Sequence, residues 1–165
     1  MIIIGIDPGS VITGYAVIKK DKSNKQCLEV LDFGCINADK FLATGERLKK
    51  IYREVAKLIK KHKPDLMSVE TLFFFKNFKT VMPVSQTKGV ILLAAAENKV
   101  PVLEFTPLQM KMAIAGYGRA EKKQVQEMIK KSVNLECFDL KKNNRKKDDA
   151  FDAIGMAICA ALKAY

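Results

Sequence analysis

The chain has little of the chemistry on which zinc sites and disulfide frameworks depend. It contains one histidine, His62, and four cysteines, no two of which have C-x-x-C spacing, so a structural zinc site is not expected. Disulfide frameworks belong mainly to small secreted chains, and the N-terminus has no positively charged segment before its apolar run. We therefore expect reduced cysteines in a cytoplasmic protein; they are Cys27, Cys35, Cys137 and Cys159.

The sequence also lacks an apolar run long enough to cross a membrane, and it shows no internal repeat and no low-complexity tail. Its 165 residues predict a single domain over residues 1–165. Acids are few relative to bases, since 18 Asp and Glu oppose 29 Lys and Arg and leave a net charge of +11. Folding does not require this excess, which favours a polyanionic partner such as nucleic acid over an inert basic surface.

Hydrophobic patterning predicts three strands followed by alternating helices and strands, in the order β-β-β-α-β-α-β-α-α-α. A meander followed by such alternation indicates an α/β protein with a mixed five-stranded sheet, its first three strands antiparallel, and helices on both faces. A polar, basic loop is expected at residues 139–147. Strands are predicted at residues 2–7, 11–18, 27–36, 66–69 and 100–105, and helices at 45–61 (with Thr44 as N-cap), 84–98, 107–115, 121–133 and 149–163.

Four carboxylates occupy positions that a metal site would use. Asp7 ends the isoleucine-rich first strand and Glu70 ends the fourth, at the edge where sites of α/β sheets lie. Asp149 and Asp152 are three residues apart on the last helix and share a face, whereas Asp148 is expected to interact only with the helix dipole.

Each of these acids taken alone has a structural explanation, because acids also cap turns and helix N-termini. Together they favour a metal site, since carboxylates brought together need a cation, and all-oxygen ligands suit Mg²⁺ or Mn²⁺. A pair of such ions about 4 Å apart can hydrolyse a phosphodiester. The acids and the basic surface therefore predict a metal-dependent nuclease.

Several motifs, in this order and spacing, resemble the RuvC family of Holliday junction resolvases. They are Ile4-Gly5-Ile6-Asp7-Pro8-Gly9-Ser10, Gly14-Tyr15-Ala16, Val69-Glu70-Thr71-Leu72-Phe73, Lys76-Asn77, Ser85-Gln86-Thr87-Lys88-Gly89-Val90, Gly116-Tyr117-Gly118-Arg119-Ala120-Glu121-Lys122 and Asp149-Ala150-Phe151-Asp152-Ala153. The resemblance implies a ribonuclease H-like fold and a homodimer that binds four-way DNA junctions. It further implies symmetric cutting of two opposed strands in recombination and repair, leaving ligatable 5′-phosphate ends. Two Mg²⁺ ions per site, replaceable by Mn²⁺, and a branch-migration helicase complex of the RuvA–RuvB type as partner are also implied.

The resemblance also implies roles for individual residues. Asp7, Glu70, Asp149 and Asp152 fall on the family's four acidic positions, and Lys111 and Lys122 match basic positions near the scissile phosphate. Phe73 matches an aromatic that stacks on bases near the crossover, a role that passes to Phe74 if the loop is shifted by one residue. Such stacking contributes about 1–3 kcal/mol per base. The remaining expected DNA contacts are Lys76, Lys88, Arg119, Lys141, Lys142, Arg145, Lys146 and Lys147.

Two segments admit more than one interpretation. The basic run at residues 141–147 is either a solvated loop or a phosphate clamp. The apolar helix at 84–98 is either a buried core helix or a dimer surface, and different faces of it can serve both purposes. The alternatives for the whole chain are another ribonuclease H-like nuclease, of the YqgF type, and a non-catalytic DNA-binding module.

Overall fold

The computed structural model describes residues 1–21, 28–71, 78–133 and 147–163. Its elements follow the predicted order, which is therefore confirmed. The strands are β1 (Ile2–Asp7), β2 (Ile12–Lys20), β3 (Leu28–Asn37), β4 (Leu66–Glu70) and β5 (Val102–Phe105). The helices are α1 (Thr44–His62), α2 (Phe78–Glu97), α3 (Pro107–Ala115), α4 (Lys122–Ser132) and α5 (Lys147–Lys163).

The five strands form one mixed sheet, as the sequence predicted, and their order in it is β3-β2-β1-β4-β5. Strands β1, β2 and β3 are antiparallel, while β4 runs parallel to both β1 and β5. The isoleucine-rich strand β1 is thus the central strand and is buried on both faces. Because β1 and β4 are parallel neighbours, Asp7 and Glu70 lie at the same edge of the sheet.

Alternation along the strands divides the core into two layers. Ile4, Ile6 and Val69 face the layer that holds α1 and α2, whereas Ile3 and Leu66 face the layer that holds α3, α4 and α5. Side chains two residues apart on a strand share a face. Asp7, in phase with Ile3, and Glu70, in phase with Leu66, therefore belong to the α5 face.

Helix α5 lies unusually close to the sheet because two strand glycines have no side chain. A Cβ on Gly5 would overlap the backbone carbonyl of Ala153, and a Cβ on Gly14 would overlap that of Asp149. The Ser68 hydroxyl of β4 also donates a buried hydrogen bond of 2.8 Å to the carbonyl of Met156. These contacts fix the height and register of α5 above the sheet.

Three sequence predictions on helix boundaries were wrong. The N-cap of α1 is Ala43, and Thr44 is the first helical residue, whose hydroxyl accepts a hydrogen bond from Arg47 instead of from a backbone amide. Helix α2 begins before Pro83 and contains it, and the Pro83 carbonyl accepts a 3.2 Å hydrogen bond from the Thr87 hydroxyl. Lys147, predicted to end the basic loop, is the first residue of α5. The other residues of that predicted loop, 139–146, lie outside the described ranges.

Neither a membrane-spanning helix nor a disulfide is found in the described residues. In the part of the chain that the structure describes, no helix is both long and apolar enough to cross a membrane. Cys35 and Cys159, the two cysteines in that part, form no disulfide.

Candidate active site

Strands β1 and β4 bring Asp7 and Glu70 together. Ile6 pairs with Val69 in the parallel ladder, so the two acids follow at adjacent positions on neighbouring strands, which are about 4.8 Å apart. Their carboxyl groups share a hydrogen bond, and both side chains are half-buried. The predicted juxtaposition of these two acids is present.

The other two acids come from the first turns of α5. Gly14 is the cross-strand partner of Asp7 and is the glycine that α5 contacts at Asp149. This contact places the start of α5 over the end of β1. Asp149 and Asp152 are half-buried there, while Ala150, on another face of the helix, is buried in the core. The i, i+3 spacing thus gives both acids one direction, as predicted.

The neighbouring acids perturb the ionisation of Asp7. Burial, the charge and hydrogen bond of Glu70, and the charges of Asp152 and Asp149 together raise the pKa of Asp7 to about 8, with burial the largest cause. A carboxylate surrounded by other carboxylates in a partly desolvated site cannot ionise at its usual pH unless a cation compensates it. Because the pKa of Asp7 responds to Glu70, Asp152 and Asp149, the four acids belong to one site.

The pKa values of Glu70 and Asp152 are also raised, although neighbouring groups partly offset the increase. Burial raises the pKa of Glu70, and Asp152 raises it further, whereas the hydrogen bond from Asp7 and the charge of Lys88 lower it. Burial also raises the pKa of Asp152, against the opposing charge and hydrogen bond of Lys122. For both acids the net pKa is raised, so each would gain from a bound cation.

The donor set fits a hard divalent cation, because all four side chains are carboxylates and the raised pKa values of Asp7, Glu70 and Asp152 indicate uncompensated negative charge. The described side chains do not form a complete set of ligands around one point, however. Among the described residues, no three His, Cys, Asp or Glu side chains are arranged so that they could hold one ion as they stand. The fit to a metal is therefore one of ligand chemistry and charge.

Lys122 lies beside these acids. Its ammonium is 3.3 Å from a carboxylate oxygen of Asp152 and 3.4 Å from one of Asp148, and burial lowers its pKa while the two acids raise it to a net increase. Helix α4 holds Lys122 at its first position through a capping box between Glu121 and Gln124. Asp148, expected to act on the helix dipole alone, also joins α5 to α4.

Comparison with known proteins identifies the family. The sequence model of the family "Crossover junction endodeoxyribonuclease RuvC" matches residues 3–160. Proteins of that description include one from Alkaliphilus metalliredigens, 47% identical over 161 residues, which are 98% of this chain and 93% of that one. Another, from Thermosipho melanesiensis, is 44% identical over 163 residues, which are 99% and 98% of the two chains.

The chain belongs to the RuvC family. It is a crossover junction endodeoxyribonuclease, an enzyme of DNA recombination and repair. The structure of RuvC from Thermus thermophilus matches it with a TM-score of 0.86 at 29% identity, covering 99% of this chain and 95% of that one. The same bacterium's RuvC in complex with a Holliday junction substrate matches with a TM-score of 0.86 at 27% identity, covering 99% and 94%. The predicted ribonuclease H-like fold is confirmed.

The remaining residues that the RuvC resemblance singled out lie in different settings. Lys111 is half-buried on α3, and no hydrogen bond or ion pair within the described ranges joins it to the four acids. Arg119 is exposed in the link between α3 and α4. Lys88 is only 14% exposed and forms an ion pair with Glu104 of β5. Its role as a DNA contact stays a prediction.

Most of the predicted DNA contacts of this RuvC chain lie outside the described residues, and for Lys147 only the backbone is described. Those outside are Phe73, Phe74, Lys76, Lys141, Lys142, Arg145 and Lys146.

Sequence reasoning missed the residues that position the acids. Gly5 and Gly14 belong to the motifs above, and a glycine inside a strand often marks a close backbone approach. Ser68, a polar residue in an apolar strand, was a comparable signal, since a buried hydroxyl needs a partner. The pairing of Glu104 with Lys88 had no local signal, because the two residues are 16 positions apart, one on a strand and the other on a helix.

Proposed function

We propose that this RuvC-family nuclease binds four-way DNA junctions as a homodimer and cuts two opposed strands symmetrically by Mg²⁺-dependent hydrolysis. Each cut would leave a ligatable 5′-phosphate and a 3′-hydroxyl. The observation that carries the proposal is the convergence of Asp7, Glu70, Asp149 and Asp152, in which the pKa of Asp7 is raised to about 8 by burial and by the other acids. The Holliday junction complex of the related RuvC from Thermus thermophilus supports the choice of substrate.

In this mechanism the four carboxylates would hold two Mg²⁺ ions, with Mn²⁺ as a substitute. When bound, these ions would supply the positive charge that polarises the scissile phosphate and activates the attacking water. Asp7 and Glu70 lie on the rigid central strands, so they would fix the position of the site, while α5 brings Asp149 and Asp152 from above. Because two of the ligands would come from the sheet and two from α5, the geometry of the site would depend on the distance between α5 and the sheet.

Lys122 is suited to hold a phosphate oxygen. Its ammonium is already within 3.3 Å of Asp152, and half of its side chain is exposed to solvent from which DNA would approach. A cation in this position would balance the charge that develops on the phosphate. Lys111 would act in the same way from α3, a role that depends on the resemblance alone.

The homodimer is supported by the exposed face of α2. Met82 is 61% exposed and Leu93 is 51% exposed, and Gln86, Gly89 and Ala96 lie on the same exposed face. These five residues are spaced by four and three positions in turn, as on the contact face of paired helices. A Cβ on Gly89 would meet nothing within 4 Å, so a second helix has room to approach there. A two-fold dimer would supply the two sites that symmetric cutting needs.

The single domain at residues 1–165 would act in the cytoplasm, and a branch-migration helicase complex of the RuvA–RuvB type is the expected partner.

The proposal is tested by incubating purified protein with a synthetic mobile four-way junction and Mg²⁺, Mn²⁺ or Ca²⁺, and mapping the cuts. We expect paired cuts on opposed strands with Mg²⁺ and Mn²⁺, and none in a linear duplex of the same sequence. Junction binding without cleavage under every metal would instead indicate a non-catalytic binding module.

A further inference from the structure

Helix α1 carries much of the protein's positive charge. Residues 44–63 contain eight basic residues against two glutamates, which gives a net charge of +6 in a chain whose total is +11. Six of the basic residues, called here the basic stripe, are exposed on the outer side of the helix: Lys49, Lys50, Arg53, Lys57, Lys60 and Lys61. The charge is therefore concentrated on one side of one element.

The basic stripe is only partly neutralised within the protein. Among the described residues, Lys49 pairs with Glu46, Lys57 with Glu54 and Lys61 with Asp32. No hydrogen bond or ion pair in the same part of the chain engages Lys50, Arg53 or Lys60. Like charges three or four residues apart on a helix repel one another, and a bound polyanion would relieve this repulsion.

The basic stripe lies on the opposite side of the sheet from the candidate active site. The inner side of α1, with Ile51, Val55 and Ile59, packs in the same layer as Ile4 and Ile6 of β1. The four acids belong to the other face, where α5 packs against the sheet. A ligand on the basic stripe would therefore not compete with a phosphate at the acids.

A cleft continues the basic surface beyond the end of α1. A cavity of about 400 Å³ lies where the α1–β4 and α2–β5 links meet, and Lys60, Lys63 and Lys99 line it. Asp65 also lines this cavity, but its carboxylate already accepts a hydrogen bond of 2.7 Å from the amide of Ile2. The cations of the links thus extend the basic stripe at its C-terminal end.

The composition of the exposed side of α1 indicates the class of ligand. Protein interfaces are depleted in lysine and enriched in aromatic residues, and single-stranded nucleic acid is bound by stacking on aromatic rings. Among residues 44–62 no exposed side chain is aromatic or large and apolar. Lysine-rich, non-aromatic surfaces suit the phosphates of a duplex, which they contact without reading sequence. The 19-residue helix is about 28 Å long and would span about eight base pairs.

We propose that the basic stripe of α1 is a second DNA-contact surface, which binds the phosphate backbone of a duplex on the face of the sheet opposite the candidate active site. The duplex is either an arm of the bound junction or a separate DNA segment. This inference rests on the proposed function insofar as junction DNA is the substrate.

The test uses the full chain with Lys50→Gln, Arg53→Gln and Lys60→Gln, which removes the three unpaired cations. Its matched control, Lys50→Arg, Arg53→Lys and Lys60→Arg, keeps every charge. Binding is measured by fluorescence anisotropy without added divalent metal, between about 50 and about 200 mM salt. The probes are a linear duplex, a junction with long arms, and a junction whose arms are shorter than one helical turn.

We expect the charge-removing variant to lose about tenfold or more in affinity, with a salt dependence weaker by about three ions, on probes that reach α1. Loss on the long-arm junction alone identifies a junction arm as the ligand, whereas loss on the linear duplex as well identifies a separate segment. The proposal is overturned if the affinity is unchanged on the linear duplex and on the long-arm junction. It is also overturned if the short-arm junction loses as much affinity as the long-arm junction.

Cleavage of the short-arm junction with Mg²⁺ separates this inference from the proposed reaction. We expect wild type and both variants to cleave it equally, because the basic stripe is remote from the four acids. If none of them cleaves it, the proposed metal-dependent reaction fails, and the anisotropy comparison still decides whether α1 binds DNA.

Discussion

The backbone carbonyl of Asp149 occupies the space that a side chain on Gly14 would need. Gly14 is also the cross-strand partner of Asp7. One missing methyl group on β2 therefore allows the carboxylates of the first strand and of the last helix to meet, although they are far apart in sequence.

Gly14→Ala should displace the start of α5, because the new Cβ would overlap backbone atoms that cannot move separately from the helix. We expect cleavage of a four-way junction to fall by at least about tenfold, the effect that a 1 Å misplacement of reacting groups readily produces. The measurement is the single-turnover cleavage rate with Mg²⁺, together with thermal unfolding. Gly45→Ala is the matched control, since a Cβ there meets nothing within 4 Å, and it should leave the rate unchanged.

The sequence was sufficient to predict the sheet and the four acids because both depend on local patterns. The alternation of β1 and β4 determines the face on which Asp7 and Glu70 lie, and the helical repeat aligns Asp149 with Asp152. The contacts of Gly14 with α5 and of Lys88 with Glu104 depend on how distant elements pack, which no local pattern encodes. The error at Thr44 is of another kind, since helix ends vary by a residue with small changes in backbone angles.

Asp7→Asn should abolish cleavage while junction binding persists, because it removes a proposed metal ligand but no cation that could contact DNA. The free energy of unfolding without metal should stay equal or increase, since the variant relieves repulsion with Glu70, Asp152 and Asp149. The measurements are cleavage, anisotropy and urea unfolding. Asp39→Asn, the same change at an exposed loop position, should alter none of them. A marked destabilisation by Asp7→Asn would indicate a structural acid.

The stability of the metal-free protein should decrease as the pH rises. Asp7 has a pKa of about 8 in the folded protein, above the usual value near 4 of an unfolded chain, so between these values the folded state binds more protons. The free energy of unfolding therefore falls with pH through this window and levels off above about 8. Urea unfolding across the window should show this slope for wild type and a shallower one for Asp7→Asn. Identical slopes would contradict the prediction.

Mutation of Lys88 separates a structural role from a DNA contact. Lys88 is 14% exposed and pairs with Glu104, whose carboxylate also accepts a 3.4 Å hydrogen bond from the Thr71 hydroxyl beside Glu70. We expect Lys88→Gln to destabilise the protein by about 1–3 kcal/mol, as the loss of a hydrogen bond to a charged group does. The swap of Lys88→Glu with Glu104→Lys should recover part of this loss in thermal unfolding. Weakened junction binding with unchanged stability would instead support the predicted DNA contact.

Leu93→Glu should separate the proposed homodimer into monomers. Leu93 is 51% exposed on the outer face of α2, in line with Met82 and Gly89, and two facing carboxylates there would be desolvated without a partner. Light scattering coupled to gel filtration should show a dimer for wild type and a monomer for the variant. Leu162→Glu is a close control, because Leu162 is 50% exposed on α5 and its substitution should leave the dimer intact.

The dimer variant should also change how the junction is cut. A monomer carries one candidate site, so Leu93→Glu should release nicked junctions as its main product, whereas wild type should cut both strands before dissociation. This is followed by resolving a supercoiled cruciform plasmid into nicked and linear forms over time. If Leu93→Glu stays dimeric and linearises the plasmid as wild type does, the exposed face of α2 is not the surface that pairs the two sites.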